Sequence, residues 1–117
     1  MSVNELQSMS DTSWHPVCAA RDLAPNLGVR ALINGEQVAL FRVKDRLYGI
    51  SAIDPFCKAA VLSRGIIGDL KGQVVVASPI YKQHFDLQTG QCLEDAAARL
   101  KTYQVRENGD QIEVAVM

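Results

Sequence analysis

Gly28-Val29-Arg30-Ala31-Leu32-Ile33-Asn34-Gly35-Glu36-Gln37-Val38-Ala39-Leu40-Phe41-Arg42 is the stretch that decides the fold. Asn-Gly is favoured in two-residue hairpin turns, because both central residues there need a positive φ. The runs on either side are rich in Val, Ile, Leu and Ala. The spacing predicts a strand from Gly28 to Ile33, a tight turn, and a return over Glu36 to Arg42. Within the return, Val38, Leu40 and Arg42 alternate with Gln37, Ala39 and Phe41. That alternation turns the aliphatics inward and leaves Phe41 on a second, less polar face.

The same pattern continues in both directions. Trp14-His15-Pro16-Val17-Cys18 begins the ordered chain, with Trp14 as a packing anchor, and Arg21 to Pro25 reads as a turn. Lys44-Asp45-Arg46 turns the chain into Leu47 to Ile50. Val74 to Ala77, Gln83 to Leu87, Tyr103 to Arg106 and Gln111 to Val116 complete the strands. The last two are joined by Glu107-Asn108-Gly109-Asp110, again with Asn-Gly at the turn. Short, closely spaced strands predict an all-β protein, an antiparallel sandwich or barrel with little helix. Ala59 to Leu62 is compatible with one helical turn. Glu94 to Arg99 reads equally as a helical turn or an extended connection. Gly68-Asp69-Leu70-Lys71-Gly72 is turn-rich.

Composition narrows the function classes. The chain has 117 residues, enough for one domain with a substantial core, and 48% are hydrophobic. Twelve basic against 13 acidic residues, a net charge of −1, provide no electrostatic footprint for nucleic acid and no basic patch for a membrane surface. The longest apolar runs, such as Val74 to Ala77, are strand-sized and far short of a membrane span. Met1 to Thr12 carries neither a basic nor an apolar signal region, so a cytoplasmic location is expected. Its polar make-up predicts a flexible segment over residues 1–12, ahead of a β domain over 13–117.

Motifs for independent chemistry are weak. Cys18, Cys57 and Cys92 are each more than thirty residues from the next, which is no metal-ligand spacing, and in a cytosolic chain they are expected to be reduced. Cys18 and Cys92 read as small apolar residues in or beside strands. Cys57 lies in an exposed loop with Lys58 as its one charged sequence neighbour. His15 and His84 are far apart, and His84 reads as a solvent-facing strand residue. Glu94-Asp95 reads as a solvated segment, and the glycines at 65, 68 and 72 are turn glycines with no helix after them. No active site emerges.

Two windows carry the most information about function: Asp54-Pro55-Phe56 and Ser78-Pro79-Ile80-Tyr81. The first is followed by Val61-Leu62-Ser63-Arg64-Gly65, and the second by His84-Phe85-Asp86-Leu87-Gln88-Thr89-Gly90. This arrangement resembles the Rieske-type iron–sulfur domains. Their boxes read Cys-Pro-His and Cys-Pro-x-His, with Leu-Ser-x-Gly after the first and Phe-Asp-Leu-x-Thr-Gly after the second. A Rieske [2Fe–2S] centre takes two Cys on one iron and two His on the other. Here the prolines stand, but the ligand positions are Asp54, Phe56, Ser78 and Tyr81, a set without thiolate or imidazole. Residues 57–77, twenty-one positions, separate the boxes, somewhat more than in ordinary Rieske ferredoxins. The match runs from about Trp14 to Val116. It is similar in particular to a ligand-free branch, the small subunits of cytoplasmic NADH-dependent nitrite reductases.

The resemblance implies a cluster-free accessory chain with no cofactor and no catalytic residue of its own. Its partner would be a large subunit carrying FAD, sirohaem and an iron–sulfur cluster, which takes electrons from NADH and reduces nitrite to ammonium. On a β frame, recognition concentrates in loops. Phe56, Cys57, Lys58, Ile80, Tyr81 and Lys82 are therefore the partner-binding candidates. Phe56 and Tyr81 have two roles open to them: filling the space of the missing cluster, or touching the partner. Two other readings remain. One is a [2Fe–2S] carrier with atypical ligands including Asp54 and Cys57; the other is a ferredoxin-like interaction module of another oxidoreductase.

Overall fold

The computed structural model describes residues 13–116, so the flexible segment expected over residues 1–12 lies outside the described residues, as does Met117. The strands are β1 (Ser13–Ala19), β2 (Val29–Ile33), β3 (Glu36–Val43), β4 (Arg46–Ser51), β5 (Ile66–Leu70), β6 (Gln73–Ala77), β7 (His84–Asp86), β8 (Thr102–Tyr103), β9 (Val105–Asn108) and β10 (Gln111–Val116). They pair antiparallel in three sheets, ordered β1-β10-β9, β2-β3-β4-β8 and β5-β6-β7. Among the described residues the only helical pieces are single 3-10 turns at Ala20–Asp22 and Leu62–Arg64. The antiparallel all-β class expected from the hairpin spacing is the class observed.

Turn chemistry sets the registers. Ile33 pairs with Glu36 around Asn34-Gly35, where both residues have positive φ (50° and 82°). Lys44-Asp45 and Lys71-Gly72 make the same kind of turn, at φ 49° and 65° and at 54° and 88°. The segment read as turn-rich over Gly68 to Gly72 is therefore mostly strand. Its first three residues belong to β5, and only Lys71-Gly72 turns. Three exposed charges in the two turns without Asn hid both hairpins from a composition reading.

β3 is buried on both faces. Val38 and Leu40 pack with Leu23, Ile33, Ile112 and Val114, between the first sheet and the second. Ala39, Phe41 and Val43 pack with Ile50, Ala52, Leu62, Val76, Phe85, Leu87, Cys92 and Leu100. Phe41, expected on a merely less polar face, has zero exposure at the centre of this second cluster. A strand covered on both sides reads as a nearly continuous apolar run, which is why alternation understated its burial. Arg42, the exception, donates from Nε to the Leu23 carbonyl at 3.1 Å and from Nη2 to Glu107 at 3.1 Å.

Two further expectations change. The strand expected over Tyr103 to Arg106 is divided at Gln104: β8 pairs with β4, whereas β9 pairs with β10. Glu94 to Arg99 is not helical. Asp95 caps a turn by accepting the Ala97 N–H at 2.9 Å, and the Gln91 amide donates to the carbonyls of Cys92, Asp95, Ala96 and Ala98.

Candidate functional site

Two loops leave the frame side by side. The first follows β4, and the Ala52 N–H at its root donates to the Gln37 carbonyl at 2.9 Å; the second joins β6 to β7. They have the same backbone plan. The N–H groups of Asp54 and Ser78 donate to the carbonyls of Ala59 and Gln83, five residues on, both at 2.9 Å. The N–H groups of Lys58 and Lys82 donate back to the carbonyls of Asp54 and Ser78, at 2.8 and 3.1 Å. Both lysines are left-handed, at φ 61° and 66°. The loop from Asp86 to Gln91 repeats the plan with Gly90 at φ 81°. There glycine is required for a further reason: a Cβ would lie 2.1 Å from the Leu100 carbonyl oxygen. In all three loops the first side chain accepts the N–H two residues on, from Phe56 at 2.8 Å, Ile80 at 3.3 Å and Gln88 at 2.7 Å. Asp and Ser suit that position because a short polar side chain can cap its own turn.

Asp54 and Ser78 meet where the loops touch. Both have zero exposure, and the Ser78 hydroxyl donates to Asp54 Oδ2 at 2.5 Å while Asp54 Oδ1 holds the Phe56 N–H. A Rieske cluster would need thiolates at these two positions, with space between them for two irons. Instead a carboxylate and a hydroxyl are bonded to each other, across the place such a cluster would take. The other two positions are no better donors. The Phe56 ring packs inward on the core, 6.3 Å from the Phe85 ring centroid and tilted by 42°, while Tyr81 points out with 55% exposure. The residues present do not fit a [2Fe–2S] cluster. One aromatic therefore occupies the interior and the other faces solvent, so the two roles left open by the sequence are divided between them.

The remaining candidates lie on the same tip. Cys57 is half-buried, Lys58 and Lys82 are exposed, and Ile80 is 51% exposed. Sequence reasoning missed three neighbours: Ile53, immediately before Asp54; Leu93, whose N–H donates to the His84 carbonyl at 2.8 Å; and Ile66, paired with Ala77 beside Ser78. Each is substantially exposed, Ile66 at 69%. Their adjacency to the two boxes was the available signal, but the pairing that brings Ile66 and Leu93 there is long-range.

His84 is not a lone strand residue. Its Nδ1 lies 2.7 Å from Glu94 Oε2, and its backbone N–H donates to Glu94 Oε1 at 2.7 Å. Burial alone would raise the Glu94 pKa. The bonds from His84 outweigh it and hold the carboxyl below the usual carboxylate range. The solvated acidic segment is thus half engaged, by Glu94 here and by Asp95 in its turn. Among the described residues no group of three His, Cys, Asp or Glu side chains is placed to hold a metal ion.

Known proteins place this geometry in context. Residues 13–115 match the model of the Rieske-like [2Fe-2S] domain family. The chain is 46% identical over 97 residues to the nitrite reductase (NADH) small subunit of Salmonella typhimurium, covering 81% of this chain and 90% of that one. A solved structure described as a putative NADH-dependent nitrite reductase small subunit from Mycobacterium tuberculosis superposes with a TM-score of 0.87 at 42% identity, covering 91% of this chain and 96% of that one. The chain is also 34% identical over 97 residues to the nitrite reductase [NAD(P)H] large subunit of Klebsiella oxytoca; the match covers 82% of this chain but 10% of that far longer one. With its Rieske frame intact and its ligand boxes closed by Asp54 and Ser78, the chain belongs to the small-subunit family of NADH-dependent nitrite reductases.

Proposed function

We propose that the chain serves as the accessory subunit of an NADH-dependent nitrite reductase, without a cluster of its own, docking on its large subunit through the tip built by Asp54 to Lys58 and Ser78 to Lys82. In this reading NADH, FAD, sirohaem and an iron–sulfur cluster belong to the large subunit, in the cytoplasm. Residues 13–117 act as one binding domain, with residues 1–12 as a flexible lead-in. The observation that carries the docking role is the exposure of Ile80 and Tyr81, at 51% and 55%, on a loop anchored from below by the Asp54–Ser78 bond. Apolar groups held rigidly in water favour a partner that covers them. Lys58 and Lys82 supply a polar rim, and Ile53, Ile66 and Leu93 extend the apolar area.

The test is reconstitution. Co-expression with the large subunit should return a stable complex that reduces nitrite with NADH, and the small subunit alone should be colourless and inactive. Stoichiometric iron and sulfide in the anaerobically purified small subunit would refute the cluster-free role. Failure of the two chains to associate would refute the accessory role.

A further inference from the structure

β4 is paired fully on one side and only partly on the other. β3 covers it from Arg46 to Ser51, whereas β8 reaches only Gly49 and Ile50, with the Ser51 N–H donating to the Lys101 carbonyl at 2.9 Å. Alternate residues of a strand direct their N–H and C=O groups to the same side. Leu47 therefore directs its backbone groups toward β8, like Gly49 and Ser51. There β8 has already ended: the Gln104 carbonyl accepts the Ala115 N–H at 2.9 Å, and Val105 pairs with Val114 in another sheet. The space beside Leu47 is an open cavity of about 730 Å³, lined by Arg46 to Gly49 and by Trp14, Gln88, Tyr103 and Val105 among others.

The lining says what would fill that space. The Tyr103 hydroxyl is committed to Glu36 at 2.7 Å, so its ring contributes mainly apolar surface, as Trp14 does. Arg46 is the one charged side chain of this lining. Among the described residues Arg42, Lys44, Lys101 and Arg106 each have a carboxylate partner, whereas Arg46 has none within 4 Å. A second cavity of about 290 Å³ adjoins the first at Arg46, Tyr48 and Gln88. Its carboxylates are already engaged. Asp69 holds Lys44 and the Gly72 N–H, and Asp86 holds Gln73 and two N–H groups of its own turn. The continuous groove thus offers an unpaired strand flank, aromatic walls and one unneutralised cation.

We infer that the open flank of β4 takes up an extended, carboxylate-bearing segment of the large subunit as an added strand, its backbone paired with Leu47 and its carboxylate on Arg46. Strand addition draws its affinity from main-chain bonds and its selectivity from flanking side-chain sites, and this groove has both. The occupant follows from the accessory-subunit reading, on which this inference rests. In the Klebsiella oxytoca relative the matching stretch lies within a large-subunit chain, where such a segment would be part of the same polypeptide. The groove is formed by Arg46 to Gly49, at the end of β4 remote from the loop that follows Ser51, so it is a second contact separate from the tip.

Hydrogen exchange on the assembled complex tests this. The Leu47 amide should exchange at least about tenfold more slowly in the complex than in the isolated small subunit. Arg46→Glu should abolish that protection and weaken association about tenfold, and Arg46→Lys should retain most of both. Unchanged Leu47 exchange, or wild-type affinity in Arg46→Glu, overturns the inference; if Tyr81→Ala still weakens binding in that case, docking through the tip stands without it. Protection of Leu47 with undiminished binding of Tyr81→Ala supports the groove and refutes the tip. Protection that rises with concentration in the isolated small subunit would assign the groove to a second copy and overturn the inference.

Discussion

Replacing Ser78 by Ala tests whether the loops are held together by the bond that stands where the cluster family has sulfur ligands. The substitution removes the donor to Asp54 Oδ2 and leaves the rest of the loop backbone in place. Both residues have zero exposure, so water cannot take over the vacated contact without opening the tip. A hydrogen bond to a charged group contributes about 1.5–3 kcal/mol net, and losing it at a buried acceptor falls in the upper part of that range. The 3.3 Å contact with the Ile80 N–H adds little, because that residue is half exposed and can bond to water. The expected cost is about 2.5 kcal/mol, or roughly 10 °C in thermal midpoint for a domain of this size. Denaturant unfolding followed by Trp14 fluorescence measures it, with an unchanged slope as the control that both variants unfold as wild type does. Asp54→Ala also frees the Phe56 N–H and should cost about 3–4 kcal/mol. The double variant should cost about 1–2 kcal/mol less than the sum, because the two deletions share one bond. Loss of under about 1 kcal/mol in Ser78→Ala, or strict additivity, would refute this account of the tip.

Phe56→Ala should lose about 2–3 kcal/mol of stability, since the ring packs against the cluster around Phe85, whereas Tyr81→Ala should stay within about 0.5 kcal/mol of wild type in the isolated chain. Thermal melts of the pair distinguish the inward ring from the outward one. Gly28→Ala should be destabilised by about 3 kcal/mol, because the added Cβ would lie 2.1 Å from the Ser63 carbonyl oxygen and 2.8 Å from Phe41 Cε1. Glu94 has a folded pKa below its ordinary value of 4.5, so its contribution is fully present above about pH 4.5 and fades as the pH falls further. Glu94→Gln should therefore lower stability at pH 7 and flatten the fall between about pH 5 and pH 3 in a pH series of melts.

What could be read from the chain, and what could not, has a physical pattern. The Asn34-Gly35 hairpin and the final strand, Gln111 to Val116, were legible because turn residues and alternation are local signals. The Asp-Pro and Ser-Pro windows revealed the two loops for the same reason. The burial of Phe41 was not legible, because a second layer packs on β3 only through Val76, Phe85 and Leu100, from distant parts of the chain. The split at Gln104 depends on which neighbouring sheet claims each half of an apolar run, and alternation carries no such information. The His84–Glu94 pair joins two segments across the Asp86–Gln91 turn, so neither residue was marked by its own surroundings. At the tip, the residue types were right but their directions were not available. Nothing local distinguishes an aromatic that turns in, like Phe56, from one that turns out, like Tyr81.

The most direct test of the account is the affinity of Tyr81→Ala for the large subunit, measured by calorimetry or surface binding against wild type. Truncating a buried interface aromatic costs about 2 kcal/mol or more, so the variant should bind roughly thirtyfold more weakly. The control is Asp110→Lys, in the turn between β9 and β10, a hairpin that Glu107 ties to Arg42 at the far end of β3 from Gln37 and the first loop. That change should leave association as it was. A folded Tyr81→Ala that binds as tightly as wild type, beside an Asp110→Lys that does not, would place the docking face at the opposite end and contradict the account.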